Sequence, residues 1–285
     1  MRLGIQTSIA GSLARSAESA KELGCTTFQI FSSSPRQWRA SKIDPSEARE
    51  LDRLRQRYDL YPLAIHCSYL INLASEDPVI RPRSLAGFRG ELERGVAIGA
   101  EYLVLHPGSA KNGDRDCAVR NVIAGLEESA HGLALGGLTI LIENTAGQGG
   151  SLGCDLAEVA ELVRGTNLPM GCCLDTAHSY AAGFNLATPE GVAHWLAAVE
   201  ASIGWSTVRV IHTNDSRAPL GSHRDRHEHI GKGGIGREGF RALVNHPQLH
   251  DKAFILETPI DKNGDDRRNL QAIRKLREKH AGKAI

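Results

Sequence analysis

The chain has no Cys-x-x-Cys pair, no apolar run approaching the roughly 20 residues of a membrane span, no low-complexity tract and no excess of charge of one sign. Each absence removes a class of function. The six cysteines, Cys25, Cys67, Cys117, Cys154, Cys172 and Cys173, show no paired spacing, and the adjacent Cys172 and Cys173 point to opposite faces of a strand. They read as free buried thiols in a reducing compartment. A formal net charge of +1 gives no global pull toward nucleic acid or membrane, so any polyanion site has to be local. The opening MRLGIQTSIAGS is too polar and too broken by glycine for a secretory signal, which makes the cytoplasm the expected location. With 285 residues, 41% of them hydrophobic and 24% charged, the expectation is one α/β domain over residues 1–285.

What is present is alternation. LGIQT (3–7) and TTFQIF (26–31) read as the first two strands, and LAIHC, LVLHP, ILIEN, CCLDT, RVIHT and FILET as six more. Helical patterns fall at 12–23, 45–57, 84–98, 116–135, 155–164, 189–201, 237–246 and 266–280, with Pro and Gly at the junctions. Eight strands and eight helices predict a single (β/α)8 TIM barrel whose active site lies at the C-terminal ends of the strands. Two long loops, 67–83 and 213–236, follow strands three and seven and therefore fall on that face.

The last six strands each end in a metal-type ligand: His66, His106, Glu143, Asp175, His212 and Glu257, spaced 32 to 45 residues apart. That is about one strand-loop-helix unit each, which brings side chains from separate strands to one rim. His178 follows Asp175 by three residues, and Asp225 and His227 stand two apart in the strand-seven loop. Taken alone, a histidine at a strand end is a hydrogen-bonded structural residue, and Asp175 or Glu257 a helix cap or ion-pair partner. Taken together the pattern points to metal, because unpaired charges at a barrel rim are costly. Imidazole plus carboxylate without thiolate suits Zn²⁺, Mn²⁺ or Fe²⁺ better than Ca²⁺ or Mg²⁺. At about three protein ligands per ion, nine ligands serve three ions. The four carboxylates Glu143, Asp175, Asp225 and Glu257 then leave a net positive rim, which favours an anionic substrate group such as phosphate.

At these residues the chain resembles the endonuclease IV family of apurinic/apyrimidinic endonucleases. LAIHCSYLINL (63–73), LVLHPGS (103–109), ILIENTAGQG (140–149), CLDTAHSYAAG (173–183), VIHTNDS (210–216), GSHRDRHEHIG (221–231) and ILET (255–258) are similar to its successive signatures, from about residue 1 to residue 260. The resemblance implies an eight-stranded barrel with three zinc ions, His66, His106 and Glu143 on the first. Glu143 bridges to the second, with Asp175, His212 and Glu257, and His178, Asp225 and His227 hold the third. The implied reaction is hydrolysis of the phosphodiester on the 5′ side of an abasic site in double-stranded DNA, leaving a 3′-hydroxyl, together with trimming of blocked 3′ ends. Glu143 is the implied catalytic residue, orienting the nucleophile as well as bridging.

The same resemblance assigns SPRQWRA (34–40) to the minor groove, with Arg36 and Gln37 at the damaged position and Tyr69 and Leu70 as wedge residues. Against this stands a plainer reading, in which Trp38 and Tyr69 pack on the barrel and Arg36 and Arg39 are solvated. Gly-rich GKGGIG (231–236) lacks the strand and spacing of a dinucleotide fingerprint and reads as a turn closing the metal loop. Arg217, Arg224, Arg226 and Lys232 are equally a phosphate track or a solvated face. The chain departs from the family pattern at Gln6, where histidine is common, and at Lys232, where glutamate is common. Two other classes stay open: a metal-dependent sugar isomerase or epimerase on a related barrel, and a non-catalytic binder of damaged DNA. A monomer is the default.

Overall fold

The structure, a computed structural model, describes residues 1–39, 42–111 and 113–277. Eight parallel strands form one sheet: β1 (Arg2–Ile5), β2 (Phe28–Phe31), β3 (Leu63–His66), β4 (Tyr102–Leu105), β5 (Thr139–Glu143), β6 (Met170–Asp175), β7 (Val208–His212) and, after a two-stranded antiparallel insert of β8 (Asp215–Ser216) and β9 (His227–Glu228), β10 (Ala253–Leu256). The spatial order β1-β10-β7-β6-β5-β4-β3-β2 leaves a seam only between β1 and β2. A parallel bridge between Gln6 and Gln29 crosses that seam, with the Thr7 amide donating to the Gln29 carbonyl at 2.8 Å. The sheet is therefore a nearly closed barrel, as the strand count predicted.

Parallel strands are buried on both faces, which is why they read as apolar runs. One set of alternate residues, including Ile65, Leu103, Ile140, Cys172, Ile211 and Phe254, packs outward under the helices. The other set, Ala64, Val104, Leu141, Cys173, Val210, Ala253 and Ile255, fills the barrel interior. Cys172 and Cys173 thus face opposite ways, as their adjacency required, and all six cysteines are free.

The helices are α1 (Leu13–Glu22), α2 (Pro45–Tyr58), α3 (Ile80–Ala97), α4 (Arg115–Ala130), α5 (Leu156–Arg164), α6 (Thr176–Ala182), α7 (Pro189–Ser202), α8 (Gly236–Asn245) and α9 (Asp265–Leu276). Side chains of Ser12, Asp44, Asp114, Asp155 and Thr188 cap α1, α2, α4, α5 and α7, and proline opens α2 and α7 where its missing N–H costs nothing. Three boundaries differ from expectation. Helix α3 begins at Ile80 because Pro82 is tolerated in the first turn, so the preceding loop is shorter. Helix α4 stops at Ala130, where the apolar LALGGL stretch continues the pattern but Gly132 turns left-handed. Helix α9 ends at Leu276, and the expected extension over 278–280 lies outside the described residues. No helix among the described residues is long and apolar enough to cross a membrane.

Candidate metal centre

The rim is built by the two-residue period of a strand. His66, His106, Glu143, Asp175, His212 and Glu257 each follow by two positions an interior residue, namely Ala64, Val104, Leu141, Cys173, Val210 and Ile255. They therefore share its inward direction one layer higher. His178 arrives on α6, a helix that starts directly from β6. Asp175 is its N-cap, its Oδ1 accepting from the His178 amide at 2.9 Å, so the cap reading and the ligand reading apply to one residue. Asp225 and His227 are returned to the rim by the β8–β9 pair.

Glu143 is the hub. Its Oε2 lies 3.1 Å from His66 Nε2 and 3.4 Å from His106 Nε2, and its Oε1 lies 3.0 Å from His212 Nδ1 and 3.4 Å from His178 Nδ1. Asp225 reaches His178 Nε2 at 3.2 Å and His227 Nε2 at 3.4 Å, and Glu257 Oε2 stands 3.2 Å from His212 Nδ1. Three groups with donor atoms within 4.8 Å of one another can each hold a cation: His66, His106 and Glu143; Glu143, Asp175, His212 and Glu257; and Asp175, His178 and His227. A fourth combination replaces Asp175 and Glu257 with Cys173, from the layer below.

Fixed oxygens behind four imidazoles decide which nitrogen faces the cluster. The rear N–H of His66 donates to the Cys67 carbonyl at 2.8 Å, that of His178 to the Asn144 carbonyl at 2.9 Å and that of His227 to the Glu257 carbonyl at 3.1 Å. His212 Nε2 donates to Gln29 Oε1 at 2.9 Å. In the neutral ring the front nitrogen is then a lone pair, and it faces carboxylate oxygens. Acceptors facing acceptors repel unless a cation stands between them. His227 Nε2 is buried with no hydrogen-bond partner. The donor set and this orphaned nitrogen suit divalent metal ions held by mixed nitrogen and oxygen ligands.

Electrostatics carry the same message. Burial opposes charge on His66, His178 and His212, yet their neighbours prevail and raise all three, the last two well above the usual histidine range: Glu143 at His66, Asp175 and Asp225 at His178, and Cys173 followed by Glu257 and Glu143 at His212. Burial would push Glu143 and Asp225 up, but the histidines beside them hold both below the usual carboxylate range. Burial lowers His106.

Residues 17–279 match the family described as "Xylose isomerase-like TIM barrel". The chain is 51% identical to "Probable endonuclease 4" of Solibacter usitatus over 283 residues, 97% of each chain, and 37% identical to the protein of that name from Methanoculleus marisnigri over 96% of this chain and 98% of the other. The crystal structure of endonuclease IV from Thermus thermophilus superposes with a TM-score of 0.87 at 38% identity, covering 97% of this chain and 98% of that one. The chain belongs to the endonuclease IV family. A D-tagatose 3-epimerase-like protein shares the fold, with a TM-score of 0.72 at 21% identity.

In this endonuclease IV family member eight of the nine expected residues fall in these three groups, whereas the exposed Asp225 falls in none of them and meets the cluster through His178 and His227, where Asp175 takes the place expected for it. Sequence reasoning missed the side chains that hold them. Asn144 Oδ1 accepts from the Asp175 amide at 2.6 Å, while Asn214 donates to Asp175 Oδ2 at 2.6 Å and accepts from the Glu257 amide at 2.7 Å. Asn144 directly follows Glu143 in IEN and Asn214 follows His212 by two in HTN, which was their only signal. Asp215 is held by the amides of Ser216, Gly231, Gly233, Ile235 and Gly236, so GKGGIG does close the metal loop, around a buried carboxylate. A Cβ on Gly233 would lie 2.4 Å from the Ser216 carbonyl oxygen. Lys232 is exposed, and Arg217 pairs with Glu228 at 3.0 Å. The side-chain oxygen of Gln6 is buried without a hydrogen-bond partner.

The two loops assigned to DNA part ways in detail. Tyr69 is 62% exposed, its ring edge-on to Phe31 and 5.8 Å from the His66 ring, so it stands beside the cluster and is not packed away. Trp38 is 38% exposed and borders α3, where a Cβ on Gly87 would come within 3.6 Å of it. Arg36, Gln37 and Arg39 are exposed, Leu70 is half-buried, and Ala40 lies outside the described residues. The Ser68 hydroxyl donates to the Pro35 carbonyl at 2.9 Å and ties the two loops together.

Proposed function

We propose that this chain is a metal-dependent DNA repair endonuclease that hydrolyses the phosphodiester 5′ to abasic sites, leaves a 3′-hydroxyl and trims blocked 3′ ends. The observation that carries the reading is the convergence of eight ligand-type side chains in three adjoining groups, two of them sharing Glu143 and two sharing Asp175, with Asp225 beside the third group at 3.2 Å from His178 and 3.4 Å from His227. His66, His106 and Glu143 hold one ion, Glu143, Asp175, His212 and Glu257 a second, and His178, Asp225 and His227 a third, with Asp175 close enough to assist. Zn²⁺ suits these donors, and Mn²⁺ or Fe²⁺ is compatible with some sites. Bound there, the ions lower the pKa of water toward about 7 and neutralise charge on a phosphoryl group.

The protein's own part is orientation. Glu143 aligns the attacking water, because its two oxygens are held from four sides by imidazoles. Tyr69 and Leu70, with Arg36 and Gln37 across the Ser68–Pro35 tie, fill the gap left by a missing base. The six free cysteines suit a reducing compartment, which favours the cytoplasm, and the proposed working unit is a monomer folded as one domain.

The test is incubation with a duplex carrying one abasic analogue, with and without chelator. Chelator-sensitive incision on the 5′ side, giving an end that a polymerase extends, is expected. Intact duplex after prolonged incubation with metal-loaded protein would refute the reading, and epimerisation of a ketose under the same conditions would replace it.

A further inference from the structure

Strand β2 supplies no ligand, yet it sends one polar side chain into the barrel. Phe28 and Ile30 face the outer core, so the two-residue period turns Gln29 inward, where it is fully buried. A buried amide is costly unless both its ends are paired. Gln29 Nε2 donates to Glu257 Oε1 at 2.6 Å and its Oε1 accepts from His212 Nε2 at 2.9 Å. The amide cannot be reversed: a carboxylate only accepts, so the NH₂ end must face Glu257 and the oxygen must face His212.

Two consequences follow for the ligands. With its proton held on Nε2, neutral His212 presents the Nδ1 lone pair to Glu143 and Glu257. With Oε1 occupied by the amide, Glu257 turns its Oε2 toward the same point, 3.2 Å from His212 Nδ1. One side chain thus sets the tautomer of one ligand and the free oxygen of another, from a residue far from both in sequence. Gln29 also sits at the seam, bridged to Gln6, so the residue that spans the closure of the barrel is the one that contacts His212 and Glu257.

We infer that Gln29 is a positioning residue that fixes the His212 tautomer and the Glu257 rotamer for cation binding. The inference rests on the reading that His212 and Glu257 hold an ion. Outer partners of this kind typically govern metal affinity by about 10- to 100-fold, whereas a merely satisfied core amide would affect folding and leave the ions alike.

The first test needs no variant. In zinc-loaded wild-type protein with ¹⁵N-labelled histidine, long-range proton–nitrogen correlation should show the His212 proton on Nε2, the signal being assigned by its loss in His212→Ala. A proton on Nδ1 overturns the inference. The second test titrates zinc-loaded Gln29→Leu with a chromogenic chelator, its fold checked by circular dichroism. One ion should be released about 10- to 100-fold more readily, with the others unchanged. Wild-type release, or equal weakening of every ion, overturns the inference. If His212→Ala removes an ion while Gln29→Leu does not weaken one, the positioning role alone fails. If His212→Ala leaves the ion count unchanged, the metal reading beneath it fails as well.

Discussion

Two residues separate the apolar floor of the barrel from its polar rim: Ala64 from His66, Val104 from His106, Leu141 from Glu143, Cys173 from Asp175, Val210 from His212 and Ile255 from Glu257. Both layers are inward-facing and, but for His106 and Glu257, buried. The floor needs nothing beyond itself, since burying its side chains stabilises it at about 25 cal/mol per Å² of apolar surface removed from water. The rim is different. Its carboxylates and imidazole lone pairs face one another at 3.0 to 3.6 Å, an arrangement that is favourable only around protons or metal ions. One set of strands therefore carries a self-sufficient layer and, directly above it, a layer that depends on bound cations.

The largest effect expected from this contrast is on stability when ions are stripped. Structural zinc in peptides contributes roughly 10–16 kcal/mol of folding free energy, and a marked fall in melting temperature should follow chelation, with amide exchange accelerating in the 67–79 and 213–236 loops before the floor strands. Unchanged melting and exchange would break the contrast. Stripped protein should also respond to alkali. His178 and His212 have raised folded pKa values, so their protonated forms contribute stability that is full below about pH 6.5 and is lost as the pH rises through the folded values. Denaturation midpoints between pH 6 and 9 should fall for stripped protein and hold for the loaded one.

Next comes a pair of changes on one strand. Glu143→Gln should lower turnover by about 10²–10⁴-fold, the range of positioned proton-transfer groups, while DNA binding persists. Leu141→Ala, one layer down, should cost about 2–5 kcal/mol of stability with ion content and turnover retained. Steady-state kinetics, elemental analysis and urea titration of both variants decide it. A Glu143→Gln enzyme keeping more than about a tenth of its turnover, or a Leu141→Ala protein losing its ions, would dissolve the distinction between the layers.

The smallest effect lies outside the barrel. Tyr69→Ala should weaken binding to an abasic duplex by about 1–3 kcal/mol, the range for aromatic stacking on bases, and barely alter binding to intact duplex, which rests on phosphate contacts. Titrating both duplexes at one salt concentration is the measurement, and equal losses on the two would make Tyr69 a packing residue.

The six rim residues from His66 to Glu257 that end strands were legible because each is a polar residue closing an apolar strand, a pattern that costs too much without a purpose. Their supports were not, because nothing in the one-letter string distinguishes Asn144 or Asn214, which reach across to another strand, from any polar loop residue. Gln29 did leave a trace, as the one amide inside TTFQIF. Helix α6 was invisible for a different reason: seven residues starting directly from β6 give too few turns for a period to show, although Asp175 supplied its cap. The end of α4 was read too late since Leu133 and Leu135 extend the apolar pattern past Gly132, and backbone conformation outweighed it.

The five amides closing on Asp215 make the glycine loop an anion receptor whose guest is covalently attached. Such a receptor has no vacancy for a nucleotide, whatever its glycine spacing suggests. Truncation by Asp215→Gly would empty it without removing a single donor, so formate or acetate added to that variant should enter the void and recover thermal stability that chloride does not. The protein would then report, through a small carboxylate supplied from solution, how much of the loop that carries Asp225 and His227 is held in place by amide-to-carboxylate hydrogen bonds of its own.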